Sequence, residues 1–178
     1  MDVQTKYISQ LKSNQTLINL YTDNYNESYF GYILDFNEEF LLLEKFDDDC
    51  FHDGLSIIYR HNITRIRWDG NENFSMTKLI DRSERLSEKI SIDLTDMESI
   101  LKTVHNEFGH ITIHIEDIDK DICFIGQIHE MDSEHVVLYE FGTKKSLDRP
   151  SLLIALEDIT RVEVGGRYEK QLEKIFFE

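Results

Sequence analysis

The sequence predicts a mainly β protein with peripheral helices. It reads as two tandem five-stranded, strongly bent antiparallel barrels, each preceded and followed by a helix. Three observations carry that expectation. Residues 31–46, Gly31-Tyr-Ile-Leu-Asp-Phe-Asn-Glu-Glu-Phe-Leu-Leu-Leu-Glu-Lys-Phe46, recur without a gap as residues 126–141, with Gly, Ile, Glu, Leu and Phe identical at 31, 33, 39, 43 and 46. After one inserted residue the copies realign, Ile63-Thr-Arg-Ile66 with Ile159-Thr-Arg-Val162 and Gly70 with Gly166. A recurrence of this length reads as a duplicated domain. Each copy also holds five short apolar runs joined by turn residues behind one helix, the pattern of a small antiparallel barrel. The 178 residues then divide into domains at 1–90 and 91–178, near the small end of what folds alone.

Taken in order, residues 2–13 predict a short helix capped by Asp2, with Val3, Tyr7, Ile8 and Leu11 on one apolar stripe. Strands follow at Leu17–Tyr21, Tyr29–Phe36, Phe40–Phe46, Leu55–Arg60 and Ile63–Trp68. The turns between them carry Asn, Asp and Gly, as at Asp53-Gly54. A glycine heading the second strand suits a sharp bend or a close backbone approach. Residues 71–90 read as a helix, and Ser91–Leu94 as the seam between domains. Thr95 and Glu98 have capping-box spacing ahead of a helix bearing Met97, Ile100, Leu101, Val104 and Phe108, which Gly109 is placed to end. The second set of strands falls at Ile111–Ile115, Cys123–Met131, His135–Phe141, Leu152–Leu156 and Ile159–Val164, and Tyr168–Phe177 closes the chain as a helix.

Charge is the most unusual bulk property. Nineteen Lys and Arg against 35 Asp and Glu give −16. A field of that sign disfavours nonspecific contact with nucleic acid or anionic membrane. No apolar run approaches the length needed to span a bilayer, and the N-terminus lacks the pattern of a signal peptide. Cys50 and Cys123 sit at non-equivalent places in the two copies, which excludes a repeated disulfide framework and leaves either a single bridge between them or, the reading preferred, two free thiols in a cytoplasmic protein.

Arg60, His61, Arg65, Arg67 and Trp68 form the one basic and aromatic cluster. Stacking a base on Trp68 with arginines on phosphate would make a single-strand site. Strand alternation puts Trp68 opposite Arg65 and Arg67, which favours a core tryptophan with solvated arginines. His110, His114, His129 and His135 lack tight ligand spacing and read as surface histidines rather than a metal site; alternation with Ile111, Ile113 and Ile115 turns His110 and His114 outward. Asp117–Asp121 imitates the start of an EF-hand loop but has Ile122 where glycine is required and Ile128 at the bidentate position. Asp47-Asp-Asp49 reads as a solvated loop. No nucleophile elbow, phosphate loop, dinucleotide fingerprint or zincin motif occurs. No cofactor and no enzymatic activity are expected.

A helix followed by a bent barrel, with Gly31-x-Ile33-x-x-Phe36-Asn37-x-x-Phe40 before an apolar strand, resembles the first motif of Sm and Sm-like proteins of uncharacterised bacterial type. Other SH3-like small barrels share the alternation. The resemblance covers most of the chain in tandem. It implies single-stranded RNA binding, through an Asp and an Asn of this motif and an Arg-Gly pair of a second one. By position the Asp falls on Asn37 and Asp132, and the Asn on the apolar Leu41 and Val136. Arg60-His61 stands near the Arg-Gly pair, where the second copy has Leu156-Glu157. The candidate RNA-contacting residues are therefore Asn37, Arg60, Arg65, Arg67 and Asp132. The leading functional expectation is an interaction module that docks a protein partner or self-associates through exposed edge strands. An RNA-binding regulator is the second expectation. An acidic mimic of nucleic acid that occupies a basic protein is the third.

Overall fold

The structure is a computed structural model that describes residues 2–86, 90–141 and 149–177. It divides into two compact units, residues 1–89 and 90–178. In the first, helix α1 (Val3–Ser13) precedes strands β1 (Ile18–Thr22), β2 (Glu27–Phe36), β3 (Phe40–Phe46), β4 (His52–Tyr59) and β5 (Arg65–Trp68), followed by α2 (Gly70–Thr77). In the second, α3 (Met97–Phe108) precedes β6 (Ile111–His114), β7 (Cys123–Met131), β8 (His135–Glu140), β9 (Ser151–Ala155) and β10 (Arg161–Val164), followed by α4 (Arg167–Phe177).

The expected pair of closed barrels is not what forms. All the strand pairs described are antiparallel, and the order is open: β5-β1-β2-β3-β4 in the first unit and β10-β6-β7-β8-β9 in the second. Among the described residues no ladder joins β5 to β4 or β10 to β9, which closure of either run would require. The sequence carried the strands and their bend but not closure, because a strand that ends a sheet reads like one that is paired on both sides.

The bend has a visible cause. The β2–β3 register slips between Ile33 and Asp35, and the β7–β8 register slips between Ile128 and Glu130. An extra residue in one strand kinks it and increases its twist. Two residues before each bulge lies a glycine with no room for a side chain. A Cβ on Gly31 would sit 1.8 Å from the Glu44 carbonyl oxygen, and one on Gly126 would sit 2.2 Å from that of Tyr139. Glycine is required at both places by backbone approach, not by φ.

The bent sheet of the first unit buries side chains on both faces, so β3 is buried at six of its seven positions. Ile8 and Leu11 of α1 pack on one face with Ile18, Leu20, Ile33, Leu41 and Leu43. Leu17, Tyr32, Phe46, Cys50 and Ile80 form a second cluster. Each fully buried aliphatic side chain contributes roughly 1.5–3 kcal/mol, and these clusters dominate the stability of the unit. In the second unit Ile100, Leu101 and Val104 of α3 are buried, as are Ile111, Ile113, Val136, Leu138, Val162 and Val164.

A buried ionic clamp ties the segment after α2 to β3. Glu44 is fully buried and accepts from Arg85 Nε at 2.9 Å and from the Leu86 N–H at 2.5 Å. Arg85 also donates to Gln15 and lies 3.7 Å above the Tyr32 ring. His52 Nδ1 accepts the Gly54 N–H, so the ring proton sits on Nε2, 3.4 Å from Glu44.

Local departures from the sequence reading have local reasons. The helix expected over 71–90 stops at Thr77, with a 3-10 turn at Arg82–Glu84, and residues 87–89 lie outside the described residues. Asp96 caps α3 through the Ser99 N–H in place of the expected Thr95, whose hydroxyl donates to Asp93. Gly109 ends α3 at φ 75°. His110 is buried rather than outward. Its Nε2 accepts the Gly165 N–H and its Nδ1 lies 3.2 Å from Glu173.

Candidate interaction surface at the seam of α1 and β5

Asn37 and Asp132, the two residues aligned with a base-binding aspartate, both build turns. Asn37 Oδ1 accepts the N–H groups of Glu39 and Phe40 at 2.8 and 2.7 Å. Asp132 Oδ1 accepts those of Glu134 and His135 at the same distances. These backbone donors, Glu134 first and His135 second, hold the Asp132 carboxyl below the ordinary aspartate range. Both side chains spend an acceptor on the strand connection.

Arg60 is buried and serves as a brace. Its guanidinium donates to the Asn37 carbonyl at 2.6 Å, to Gln4 at 2.9 Å and to the Thr5 hydroxyl at 2.8 Å. It thereby ties the first turn of α1 to the β2–β3 turn, and Phe36 lies beneath it. Arg65 and Arg67 are exposed on β5. Arg65 grips Asp23 with two hydrogen bonds of 2.8 and 2.7 Å and lies 3.8 Å over the Tyr21 ring. Arg67 is 3.4 Å from Glu72. The three arginines therefore do not converge on Asn37. Arg60 alone reaches it, from the interior.

The Arg65 contact belongs to a clasp that occurs in both units. Thr64 Oγ1 donates to Asp23, and the Asp23 N–H donates back to Thr64 Oγ1. Arg65 first and Thr64 second hold the Asp23 carboxyl down at about 2. In the second unit Thr160 and Glu116 exchange the same pair of bonds, and Arg161 binds Glu116 at 2.9 Å. Where Tyr21 lies under Arg65, His114 Nδ1 accepts from Arg161 at 2.9 Å. The two clasps differ in exposure. Asp23 and Arg65 face solvent, whereas Glu116 and Arg161 are buried.

The same contrast extends along the seam between helix and fifth strand. Val3, Tyr7, Leu11, Ile63, Ile66 and Trp68 line an open groove of about 210 Å³. Val3 is 73% exposed, Tyr7 42% and Trp68 37%, with the two rings 5.5 Å apart. Trp68 is thus not the core residue that alternation suggested. In the second unit Ile159, Val162 and Val164 stand where the first has Ile63, Ile66 and Trp68, and all three are buried, as is the facing side of α3. One copy of the seam is small, aliphatic and covered. The other is aromatic and open.

β5 pairs with β1 and β9 pairs with β8, and among the described residues neither has a second neighbour. Leu153 on β9 is 64% exposed. Beside β9 the loop residues Ser133, Glu134 and Glu157 line an open hollow of about 360 Å³ with His135 and Leu156.

Among the described residues, no group of three or more His, Cys, Asp or Glu side chains is placed to hold a metal ion. Cys50 is buried and Cys123 exposed, and burial raises both thiols above the ordinary cysteine range. No described helix is long and apolar enough to cross a membrane. Comparison with family models, with curated proteins and with solved structures finds no match to this chain.

Sequence reasoning missed the groove because Val3 and Tyr7 fall on the same helical stripe as the buried Ile8 and Leu11. The available signal was the difference between copies, Trp68 against Val164. The clasp also had a signal, since Thr-Arg recurs at 64–65 and 160–161 with an acid at 23 and 116.

Proposed function

We propose that this protein is a non-enzymatic interaction module that docks a protein partner, or a second copy of itself, on the α1–β5 seam. The observation that carries the reading is the open seam beside a strand edge that has no second neighbour among the described residues, where the corresponding seam of the second unit is buried. An exposed edge offers backbone hydrogen bonds, and an aromatic groove next to it offers side-chain burial. Tyrosine, tryptophan and arginine, all present at this seam, are the residues most enriched at binding hot spots. Action in the cytoplasm suits two cysteines that are not joined to each other.

Light scattering across a wide concentration range tests self-docking. A mass that rises with concentration, and stays monomeric when Ile66→Pro removes a β5 donor, is the expected result. A monomer at every concentration leaves only a foreign protein as the partner.

Single-stranded RNA is the second reading, and kinship with Sm-like proteins is proposed only as far as the residues 31–40 motif reaches. The exposed Trp68–Tyr7 pair favours this reading, since aromatic faces stack bases. Against it stand the carboxylates beside Arg65 and Arg67 and the net charge of −16. Titration with labelled A-rich and U-rich homopolymers at low salt is expected to show no saturable binding. Saturable binding abolished by Trp68→Ala would favour RNA over protein.

A further inference from the structure

This inference rests on the docking reading above and concerns the groove beside α1 rather than the β5 edge. We infer that the groove lined by Val3, Tyr7, Ile66 and Trp68 receives a short extended segment of a partner protein, apolar–acidic–apolar in sequence, laid antiparallel along α1. The second unit supplies the pattern for that occupant.

Ile8 and Leu11 are the buried pair of α1, and Leu101 and Val104 are a buried pair with the same spacing on α3. Aligning the pairs sets Tyr7 on Ile100 and Gln10 on Thr103. Helical positions three apart share a side, so Tyr7 and Gln10 mark the groove flank of α1 as Ile100 and Thr103 mark the same flank of α3. That flank of α3 is occupied. The Asp93 N–H donates to Thr103 Oγ1 at 3.2 Å, which requires the residues ahead of the helix to double back along it. Ile92 and Leu94, on either side of Asp93, are both buried, and so is Ile100. The Asp93 carboxylate accepts the N–H and the hydroxyl of Thr95 at 3.0 and 2.6 Å and pins the turn from this segment into α3.

In the first unit no described residue takes the place of this segment. α1 begins at Val3 behind its cap Asp2, and Val3 and Tyr7 are exposed where Ile100 is buried. The flank nevertheless keeps what such a segment uses. Gln10 is exposed at the position where Thr103 accepts the Asp93 N–H, and its amide oxygen can accept the same bond. Tyr7 and Trp68, with rings 5.5 Å apart, offer aromatic faces to two apolar side chains. Lys6 is exposed and holds its ammonium 5.7 Å from the Tyr7 ring, so a carboxylate in the middle of the segment meets a cation. The counterpart of Lys6 in the second unit is Ser99. A segment joined covalently to its helix needs no cation, whereas an incoming chain is steered and selected by one.

The probe is the capped hexapeptide Ile-Ser-Ile-Asp-Leu-Thr, the sequence of residues 90–95, titrated into the full chain. Trp68 is the single tryptophan and lines the groove, so its emission reports occupancy. A saturable blue shift with half-saturation at about 1 mM or below is expected. Replacing the second isoleucine of the peptide by aspartate should weaken binding about 10-fold or more, the loss of one buried apolar side chain. Lys6→Glu should weaken the parent peptide roughly 2- to 5-fold, the scale of one exposed ion pair, and should favour a peptide carrying lysine in place of aspartate. Far-UV circular dichroism with a melting curve checks the fold of this variant. In a second measurement Ser-Ile-Asp-Leu is grafted directly ahead of Asp2, in the register that residues 91–94 keep with Thr95. Acrylamide quenching of Trp68 should then fall, and the free peptide should no longer shift the emission. Emission that neither shifts with the peptide nor is shielded by the graft would overturn the inference. Docking at the seam would still stand in that case if Trp68→Ala abolishes a concentration-dependent mass. Binding indifferent to both Lys6→Glu and the isoleucine replacement would equally overturn it, as adhesion without the proposed selectivity.

Discussion

Replacing Gly31 by alanine should damage the first unit far more than a methyl group ordinarily would. The added Cβ would meet the Glu44 carbonyl oxygen at 1.8 Å and its carbonyl carbon at 2.9 Å. Both atoms are backbone of β3, which is paired on both sides, so no side-chain rotation relieves the clash. Relief requires β2 and β3 to separate by more than an ångström across a register in which Gly31 faces Lys45. Ordinary overpacking costs about 1–3 kcal/mol. A clash with backbone in the middle of a sheet belongs above that, at about 3–5 kcal/mol. Moving the Glu44 backbone also disturbs its clamp on Arg85 and Leu86. For a unit of this size the loss corresponds to a fall in melting temperature of about 12 °C or more. The single tryptophan, Trp68, lies in the first unit, so its fluorescence in a urea titration reports that unit. Gly70→Ala is the control. Its φ is 89° but nothing lies within 4 Å of the added methyl, so only the conformational cost of about 1–2 kcal/mol applies. A Gly31→Ala protein within about 1 kcal/mol of wild type, or no worse than Gly70→Ala, would refute the close-approach argument.

Further outcomes follow from the same contacts. Arg161→Ala strands the buried Glu116 and should cost about 3–5 kcal/mol, whereas Arg65→Ala, at the exposed clasp, should move the melting temperature far less. The check is thermal unfolding of both variants side by side. Burial alone would raise the Glu44 carboxyl, but hydrogen bonds from His52, the Leu86 N–H and Arg85 outweigh it and hold the group below its ordinary 4.5. Its contribution is therefore fully present above pH 4.5 and is lost as pH falls through the lower folded value. Glu44→Gln should flatten the acid limb of a stability-against-pH curve, and an unchanged limb would count against the clamp. Asn37→Ala removes two backbone-capping hydrogen bonds and should cost about 1–3 kcal/mol in urea unfolding.

How much of this was legible beforehand varies residue by residue. The strands were readable because apolar alternation and turn residues act locally, and Gly31 with Gly126 marked the bend because only glycine tolerates such an approach. Closure was not readable. Whether β5 meets β4 is decided by distant pairing geometry, and a four-residue strand such as Arg-Ile-Arg-Trp reads alike at an edge and inside a barrel. The site residues divide along the same line. Asn37 and Asp132 were found by alignment, but the Asn-x-Glu-Phe and Asp-x-Glu-His turns use those side chains locally. Arg60 stands by position near the Arg-Gly pair of an RNA pocket, yet its partners Gln4 and Thr5 lie at the other end of the unit's sequence. Alternation carries no information on how far a face is covered: Trp68 lines the groove but stays exposed, where Val164 of the second copy is buried.

Amide hydrogen exchange on the wild-type chain, followed at low and high protein concentration, tests the central claim most directly. The amides of residues 161–164, in the buried β10, should be protected at both concentrations. Those of residues 65–68 that point away from β1 should exchange fast when dilute and become protected when concentrated. Fast exchange of those amides at every concentration would contradict the claim that a second copy docks on this seam.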